Sequence, residues 1–265
     1  MLETVKIDDL SDPRISLYKN LRFTPKTHQD KRLFIAEGKR LVNKLLKTQI
    51  PIYSIFATDE YIAENEILIS NRINKETVIY SAEKKLMERI VGFRLHTGVM
   101  ALAYQPEDIK IGEMRGMIVA TNGINNAENI GSIVRNMIGF GIDNIIVDKK
   151  SASPYLRRAV RVSMGSIFFC NVCHSDNLTD DINILRRRGY KIVSFEISDK
   201  SKFINEHKFD KNTLLIFGSE DKGIEEDILE LSDITLKIPM SERIDSFNVA
   251  SSSAVVFYEI SKMKK

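Results

Sequence analysis

The segment Phe217-Gly218-Ser219-Glu220-Asp221-Lys222-Gly223 follows an apolar run and precedes a stretch, 225–231, with helical spacing. In α/β folds, ligands bind in loops of this kind, beyond the carboxyl ends of the strands. The two glycines imitate a phosphate-binding loop, but Ile224 follows Gly223 where such a loop has lysine and serine or threonine. Glu220 would also repel a triphosphate, so the segment suits a cationic or hydroxyl-rich ligand better.

Around this loop, short apolar runs alternate with helical patterns from residue 116 onward. The predicted strands are 117–120, 144–147, 167–171, 191–195, 214–217 and 234–238. The predicted helices are 129–140, 178–188, 225–231 and 248–262. Short apolar strands joined by helical crossovers predict a parallel sheet with its ligand site at the carboxyl ends of the strands.

The front of the chain has the pattern of a smaller α/β unit. It contains predicted strands at 52–57 and 77–80, a helix at 82–90 and an apolar run at 98–104. Residues 41–46 also have helical spacing. The polar segment 105–115 contains Pro106 and Gly112 and has the composition of a linker. We therefore expect a domain at 1–105, a linker at 106–115 and a larger domain at 116–265.

Composition restricts the class of protein. Hydrophobic residues make up 43% of the 265-residue chain, enough to supply a substantial core. Two cysteines do not suggest a disulfide framework. The sequence lacks both an apolar run of membrane-spanning length and the layout of a signal peptide. We expect a soluble, cytoplasmic protein.

Charge is unevenly distributed along the chain. The net charge is only +3, yet residues 14–47 contain ten lysines or arginines against Asp30 and Glu37. Basic clusters of this kind favour binding to phosphates. A solvated, lysine-rich helix face would explain the same pattern.

The segment Cys170-Asn171-Val172-Cys173-His174 fits the attachment pattern of a c-type haem. Attachment of that kind requires export, and the first cysteine lies in a predicted strand. A zinc site would need further ligands, and the other histidines have no suggestive spacing. We therefore predict no metal and no haem.

The predicted helix at 129–140 carries an arginine on its polar side. Its apolar residues follow the spacing of a buried face, and Arg135 lies off that stripe, one turn after Gly131. Glycine costs about 1 kcal/mol of helix propensity, so Gly131 suggests a close backbone approach. An ordinary surface arginine on a crossover helix is the alternative interpretation.

Four segments, which make up three motifs, occur in a fixed order: Asn129-x-Gly131-x-x-x-Arg135, then 218–223, then Ile238-Pro239-Met240, then Ser246-Phe247-Asn248-Val249-Ala250. Together they resemble the SpoU (TrmH) family of RNA ribose 2′-O-methyltransferases, in the SPOUT superfamily. The resemblance implies an α/β methyltransferase domain with a deep trefoil knot, an isologous homodimer and S-adenosyl-L-methionine as cofactor. Phe247 and Ala250 depart from the usual leucine and serine of the family.

The resemblance also implies roles for individual residues. The catalytic candidates are Arg135, Asn129, Glu220, Ser246 and Asn248. The cofactor-binding candidates are Asn122, Gly218, Ser219, Gly223, Ile238, Met240 and Phe247. Because arginine stays protonated, Arg135 is expected to clamp a phosphate and stabilise the forming alkoxide, which leaves the general base open. Capping of the last helix would explain Ser246 equally well.

A weaker resemblance extends to the front of the chain. Phe34 through Gly38 and His96-Thr97-Gly98-Val99 are similar to the opening and closing elements of the family's L30e-like, RNA-binding domain, with Thr97 in place of glutamine. Ribosomal RNA is therefore the favoured substrate, and transfer RNA stays open. The alternative from another class is a non-catalytic RNA-binding protein. A Rossmann dehydrogenase is excluded because residues 122–135 lack its Gly-x-Gly-x-x-Gly motif.

Overall fold

The computed structural model describes residues 2–262, which form two compact units. The first unit holds the residues up to Pro106 together with Tyr155–Phe168. The second holds Glu107–Pro154 and the residues from Phe169 onward. Within residues 2–262, no helix combines the length and the apolar character that a membrane crossing requires.

Strands and helices alternate along much of residues 2–262. The strands are β1 (Val5–Lys6), β2 (Leu33–Glu37), β3 (Ile52–Ala57), β4 (Val78–Ser81), β5 (Val99–Tyr104), β6 (Ile118–Asn122), β7 (Asn144–Asp148), β8 (Asn171–Ser175), β9 (Lys191–Phe195), β10 (Lys202–Phe203), β11 (Thr213–Gly218) and β12 (Ile234–Lys237). The helices are α1 (Lys26–Asp30), α2 (Lys39–Leu45), α3 (Asp59–Glu64), α4 (Glu66–Ser70), α5 (Lys84–Val91), α6 (Ala127–Gly139), α7 (Arg157–Val162), α8 (Leu178–Arg187), α9 (Glu226–Glu230) and α10 (Val249–Lys262).

The first unit is built on a mixed sheet with strand order β1-β4-β3-β5-β2. β5 is antiparallel to both β2 and β3, and the other pairs are parallel. Phe56 and Met100 lie in its core and are fully buried. The predicted strand at 52–57 and the predicted helical segment within 41–46 are confirmed by β3 and α2. The helices α1, α3, α4 and α7 are additions that the sequence patterns did not predict.

The second unit is built on a sheet with order β10-β12-β9-β11-β6-β7-β8, and every pair in it is parallel. The prediction of an α/β fold with a parallel sheet is confirmed. The inner strands are buried along most of their length because helices cover both faces of such a sheet. Parallel pairing places the carboxyl ends of β6, β11, β9 and β12 along one edge.

The predicted strand at 167–171 is wrong. Residues Ser166–Phe169 form a 3₁₀ turn, and the strand is β8, Asn171–Ser175. The apolar run was assigned to a strand because of its composition, but Phe168 packs against Phe34, with ring centroids 5.7 Å apart, inside the first unit. The less apolar segment forms the strand because it pairs with β7.

The segment 106–115 is packed into the second unit along most of its length. Ile111 and Met114 are buried in the core of that unit. The Arg188 guanidinium donates to the carbonyl oxygens of both residues at 2.7 Å. These contacts fix the approach of the chain to β6, which carries the first part of the candidate site.

Candidate functional site

The loop after β11 closes on itself through its two glycines. Ser219 and Gly223 exchange two main-chain hydrogen bonds, with N···O distances of 3.1 and 3.0 Å. A Cβ on Gly218 would lie 2.3 Å from the carbonyl carbon of Gly223, so only glycine lets the ends of the loop approach this closely. Gly223 has a φ of +66°, in the left-handed region that favours glycine.

A cavity of about 440 Å³ lies at the carboxyl ends of β9, β11 and β12, beside the first turns of α10. This volume is within the range of small-molecule sites. Two of its lining side chains, Phe195 and Phe217, stack with ring centroids 4.9 Å apart. The lining contains eight of the predicted site residues: Gly218, Ser219, Glu220, Gly223, Ile238, Met240, Ser246 and Phe247.

Charge in this cavity is predominantly negative. Four carboxylates line it, from Glu196, Glu220, Asp221 and Asp245, against the ammonium groups of Lys222 and Lys237. An excess of carboxylates favours a cationic ligand over a phosphorylated one. The cavity therefore has the apolar walls and the charge that the sequence motif predicted for its ligand.

Polar side chains from three of the motifs meet at the edge of this cavity. Glu220 Oε1 accepts hydrogen bonds from Asn129 Nδ2 at 3.1 Å, from the Val249 main-chain N at 3.4 Å and from Asn248 Nδ2. Asn248 Nδ2 also donates to Asn129 Oδ1 at 3.1 Å. The fold thus brings residues 129, 220 and 248 into one hydrogen-bonded cluster, the Glu220 cluster.

Arg135 is not part of the Glu220 cluster. It is exposed on α6 and lies outside the cavity lining. It is six residues beyond Asn129, a rise of about 9 Å along the helix. In the described part of the chain, its guanidinium forms no hydrogen bond or ion pair. Its five donors are therefore available to an external anion.

The last motif begins α10 with a side-chain cap. Asn248 Oδ1 accepts a hydrogen bond from the main-chain N of Ala250 at 3.0 Å, as an N-cap residue does. Ser246 precedes this cap by two residues and is exposed at the cavity. The capping bond therefore belongs to Asn248, whereas Ser246 lines the cavity. Its catalytic role stays a prediction.

Asn122 takes part in a different network, below the loop. Its Nδ2 donates to Glu225 Oε2 at 3.0 Å, and its Oδ1 accepts from the main-chain N of Glu225 at 2.8 Å. Lys150 pairs with the other oxygen of Glu225, and this ammonium is the main reason that the pKa of Glu225 is lowered. Asn122 is 2% exposed and lies outside the cavity lining, so a direct cofactor contact stays a prediction.

Replacing Asn122 by alanine is expected to lower the free energy of unfolding by about 1–3 kcal/mol. The change removes two hydrogen bonds, one of them to a carboxylate, in a buried position. Urea denaturation measures this loss, and calorimetry measures cofactor affinity in parallel. Asn125→Ala, at an exposed position nearby, is the control and should stay within about 0.5 kcal/mol of wild type. Unchanged stability with lost affinity would instead make Asn122 a direct ligand contact.

Glu196 also lines the cavity, although it belongs to none of the sequence motifs. It follows β9 directly, and a carboxylate immediately after a predicted buried strand was the available signal.

Among residues 2–262, no group of three or more histidine, cysteine or acidic side chains is arranged to hold a metal ion. Burial raises the pKa of the Cys170 thiol to about 12 and that of Cys173 to about 11.

Comparison with known proteins gives a consistent assignment. Residues 116–258 match the sequence model of the SpoU rRNA Methylase family. An uncharacterized tRNA/rRNA methyltransferase of Mycobacterium tuberculosis (strain H37Rv) is 29% identical over 97% of this chain and 92% of its own length.

Two solved structures share the fold across almost the whole chain. The S-adenosylmethionine-bound rRNA methyltransferase from Sinorhizobium meliloti has a TM-score of 0.84 at 20% identity and covers 98% of each chain. An RNA 2′-O ribose methyltransferase has a TM-score of 0.80 at 20% identity, covering 98% of this chain and 99% of its own. At this level of identity, the two comparisons establish the fold.

Proposed function

The chain belongs to the SpoU rRNA methylase family, and we propose that it methylates a ribose 2′-hydroxyl of RNA with S-adenosyl-L-methionine as cofactor. The observation that carries this proposal is the Glu220 cluster, which joins side chains of three separated motifs at the edge of the cavity. Nothing in helix or sheet formation requires these three polar groups to meet. A binding or catalytic role explains why they do.

The cavity fits the cofactor by its chemistry. Its walls include Leu236, Ile238 and Met240, which suit an adenine ring, and its carboxylates suit an ammonium and a sulfonium. The loop at residues 218–223, the glycine loop, exposes main-chain groups that can hydrogen-bond a ligand. When bound there, the cofactor would supply a methyl group already activated by its sulfonium.

The residues of this chain would then orient the RNA and stabilise charge. Arg135 would clamp a phosphate next to the target ribose and stabilise the negative charge that develops on the 2′-oxygen. The Glu220 cluster would fix Asn129 and Asn248 so that their amides orient the hydroxyl. Ser246 lines the cavity and would add a further hydrogen bond.

The test is methyl transfer from labelled S-adenosylmethionine to total RNA from a strain that lacks this protein. Label mapped to a ribose 2′-oxygen at one position supports the proposal and identifies the RNA. Label on a base would contradict the 2′-O assignment. Cofactor binding without any label would favour a substrate present only during ribosome assembly. If the protein is instead a non-catalytic RNA-binding protein, it should neither bind S-adenosylmethionine nor transfer its methyl group.

We propose ribosomal RNA as the substrate because the N-terminal domain, predicted at 1–105, resembles the RNA-binding domain of rRNA-modifying members. Transfer RNA is the alternative, and the mapped nucleotide decides between them.

The first unit has a surface that fits RNA. The rings of Tyr53 and Tyr104 meet edge to face, with centroids 5.7 Å apart, and the Lys31 ammonium lies 5.6 Å from the Tyr53 centroid. Exposed aromatic faces stack on unpaired bases, and a neighbouring cation binds phosphate.

Replacing Tyr104 by alanine is expected to weaken binding of a labelled single-stranded oligouridylate. Tyr104 is 41% exposed, and loss of one base–aromatic stack costs about 1–3 kcal/mol, or about 5-fold to 150-fold in affinity. Fluorescence anisotropy measures the change. Ile67→Ala removes a more exposed apolar side chain, 78% accessible, next to the acidic Glu66 and should leave affinity unchanged. Equal effects of the two changes would contradict an RNA site at Tyr104.

An isologous homodimer completes the proposal. The exposed side of α10 carries Val255 and Tyr258, which are 41% and 55% accessible, and the Tyr258 ring contacts Phe140 just beyond α6. An apolar strip on two packed helices suits a self-complementary contact. Sedimentation equilibrium tests whether the protein forms this homodimer.

Three further expectations stay predictions: the trefoil knot, the functional boundaries 1–105 and 116–265, and the cytoplasmic location.

A further inference from the structure

Glu196 is the cavity carboxylate that the main chain holds most firmly. Its Oε2 accepts a hydrogen bond from the Ile224 main-chain N at 2.8 Å, and its Oε1 accepts from the Ile197 main-chain N at 3.1 Å. Its own main-chain N donates to the Leu236 carbonyl oxygen at 3.1 Å. The side chain therefore joins the end of β9 to the end of the glycine loop, next to β12.

The glycine loop is shaped around this carboxylate. A Cβ on Gly223 would lie 2.3 Å from Glu196 Oε2 and 2.9 Å from its carboxyl carbon. The missing side chain thus provides the space into which the carboxylate fits, in addition to permitting the positive φ of Gly223. Movement of the carboxylate away from the loop would break its hydrogen bond to the Ile224 main-chain N.

Glu196 lines the cavity and still has acceptor capacity. An ionised carboxylate offers about four lone-pair sites, and the two main-chain donors occupy two of them. Apolar side chains surround this part of the cavity, among them Phe195, Ile197 and Ile238. A fixed acceptor beside apolar walls suits a nucleoside, whose flat base needs an apolar surface and whose ribose offers two adjacent hydroxyl donors.

The other cavity carboxylates are less suited to this task. Oε1 of Glu220 already accepts three hydrogen bonds in the Glu220 cluster. Asp221 and Asp245 are exposed. Their long-range charge would attract a cation, but their side chains are not held in one position. Glu196 is therefore the carboxylate that can recognise hydroxyl groups by geometry.

We propose that Glu196 is a cofactor-binding residue that accepts hydrogen bonds from the ribose hydroxyls of S-adenosylmethionine while it holds the glycine loop closed through Ile224. This inference rests on the proposed function, since it names a contact within that cofactor site. It predicts that recognition of the ribose depends on Glu196 and that recognition of the methionine part does not.

The test is calorimetric and needs no RNA. Wild type and Glu196→Gln are titrated with S-adenosylmethionine, with S-adenosylhomocysteine and with the 2′-deoxy and 3′-deoxy forms of S-adenosylhomocysteine. Because hydrogen bonds to a charged group are strong, Glu196→Gln is expected to weaken the binding of S-adenosylhomocysteine by about 10-fold to 100-fold. Wild type should bind at least one deoxy form more weakly than S-adenosylhomocysteine by a similar factor. The variant should bind that deoxy form and S-adenosylhomocysteine with nearly equal affinity.

This comparison separates ribose recognition from a loosened loop. A loop that opens in the variant would weaken the binding of all four ligands by the same factor. The variant would then distinguish S-adenosylhomocysteine from its deoxy forms as wild type does, and this result would overturn the proposal. A loss confined to S-adenosylmethionine would show that Glu196 acts on the sulfonium charge, and it would also overturn the proposal. Asp221→Asn is the matched control and should retain ribose discrimination.

The outcome also distinguishes failure of this inference from failure of the proposed function. If wild type binds S-adenosylmethionine but Glu196→Gln discriminates as wild type does, only the role of Glu196 is wrong. If wild type binds neither S-adenosylmethionine nor S-adenosylhomocysteine, the cofactor assignment fails and the inference fails with it.

Discussion

Replacing Gly218 by alanine is expected to open the glycine loop and to weaken cofactor binding by about 5-fold to 150-fold. The new Cβ would lie 2.3 Å from the Gly223 carbonyl carbon, 2.5 Å from its oxygen and 2.6 Å from the Ile224 nitrogen. Overpacking against main chain costs about 1–3 kcal/mol and would push the backbone at Gly223 away. Cofactor binding would then have to restore the closed loop at that cost. The obstacle is backbone, so no side-chain rotation relieves it. Calorimetry with S-adenosylhomocysteine measures the loss.

Gly139→Ala is the matched control for this substitution. Gly139 is the last residue of α6, and a Cβ there would meet nothing within 4 Å. Its φ is outside the left-handed region, so alanine should leave affinity unchanged and stabilise the fold by a few tenths of a kcal/mol to about 1 kcal/mol. Wild-type affinity in Gly218→Ala would show that the closed loop of the structure is not the binding conformation.

Replacing Arg135 by alanine is expected to lower the rate of methyl transfer by about 10²-fold to 10³-fold while cofactor affinity stays unchanged. A preorganised donor that meets charge developing in the transition state contributes on this scale. Arg135 is exposed and lies outside the cavity lining, so its removal should not disturb the bound cofactor. Initial rates with the mapped RNA measure the first effect, and calorimetry measures the second.

Arg135→Lys distinguishes charge from geometry. Lysine keeps the positive charge but loses the planar fork that grips a phosphate, so an intermediate rate is expected. A rate for Arg135→Ala within a few-fold of wild type would remove Arg135 from the mechanism. An equal loss of cofactor affinity would assign it to the cavity instead.

Much of the second unit was predictable because its strands are short, buried apolar runs. β9 and β7 follow the predicted 191–195 and 144–147 within one residue. A strand in a parallel sheet is covered on both faces, so its apolar character is continuous along the sequence. α6 was predictable from its stripe of buried residues at helical spacing, which the structure places in the core.

The errors occur where a partner distant in sequence decides the outcome. Residues 166–169 are apolar because Phe168 packs against Phe34 in the first unit, and not because they belong to a strand. The surroundings of Asn122 are also decided by a distant residue, because its amide pairs with Glu225, and its contact with the cofactor stays a prediction. Local composition carries no information about which buried surface a side chain will meet.

The sequence by itself determined the α/β class, the parallel sheet and eight of the residues that line the cavity, because these follow from local periodicity and from an ordered set of motifs. Only the tertiary structure decided which side chains meet. Asn129, Glu220 and Asn248 are far apart in the chain and form one cluster because parallel pairing brings the ends of their strands and helices to the same edge. Glu196 became a candidate in the same way, because contacts in space, not neighbours in sequence, bring its carboxylate to the loop.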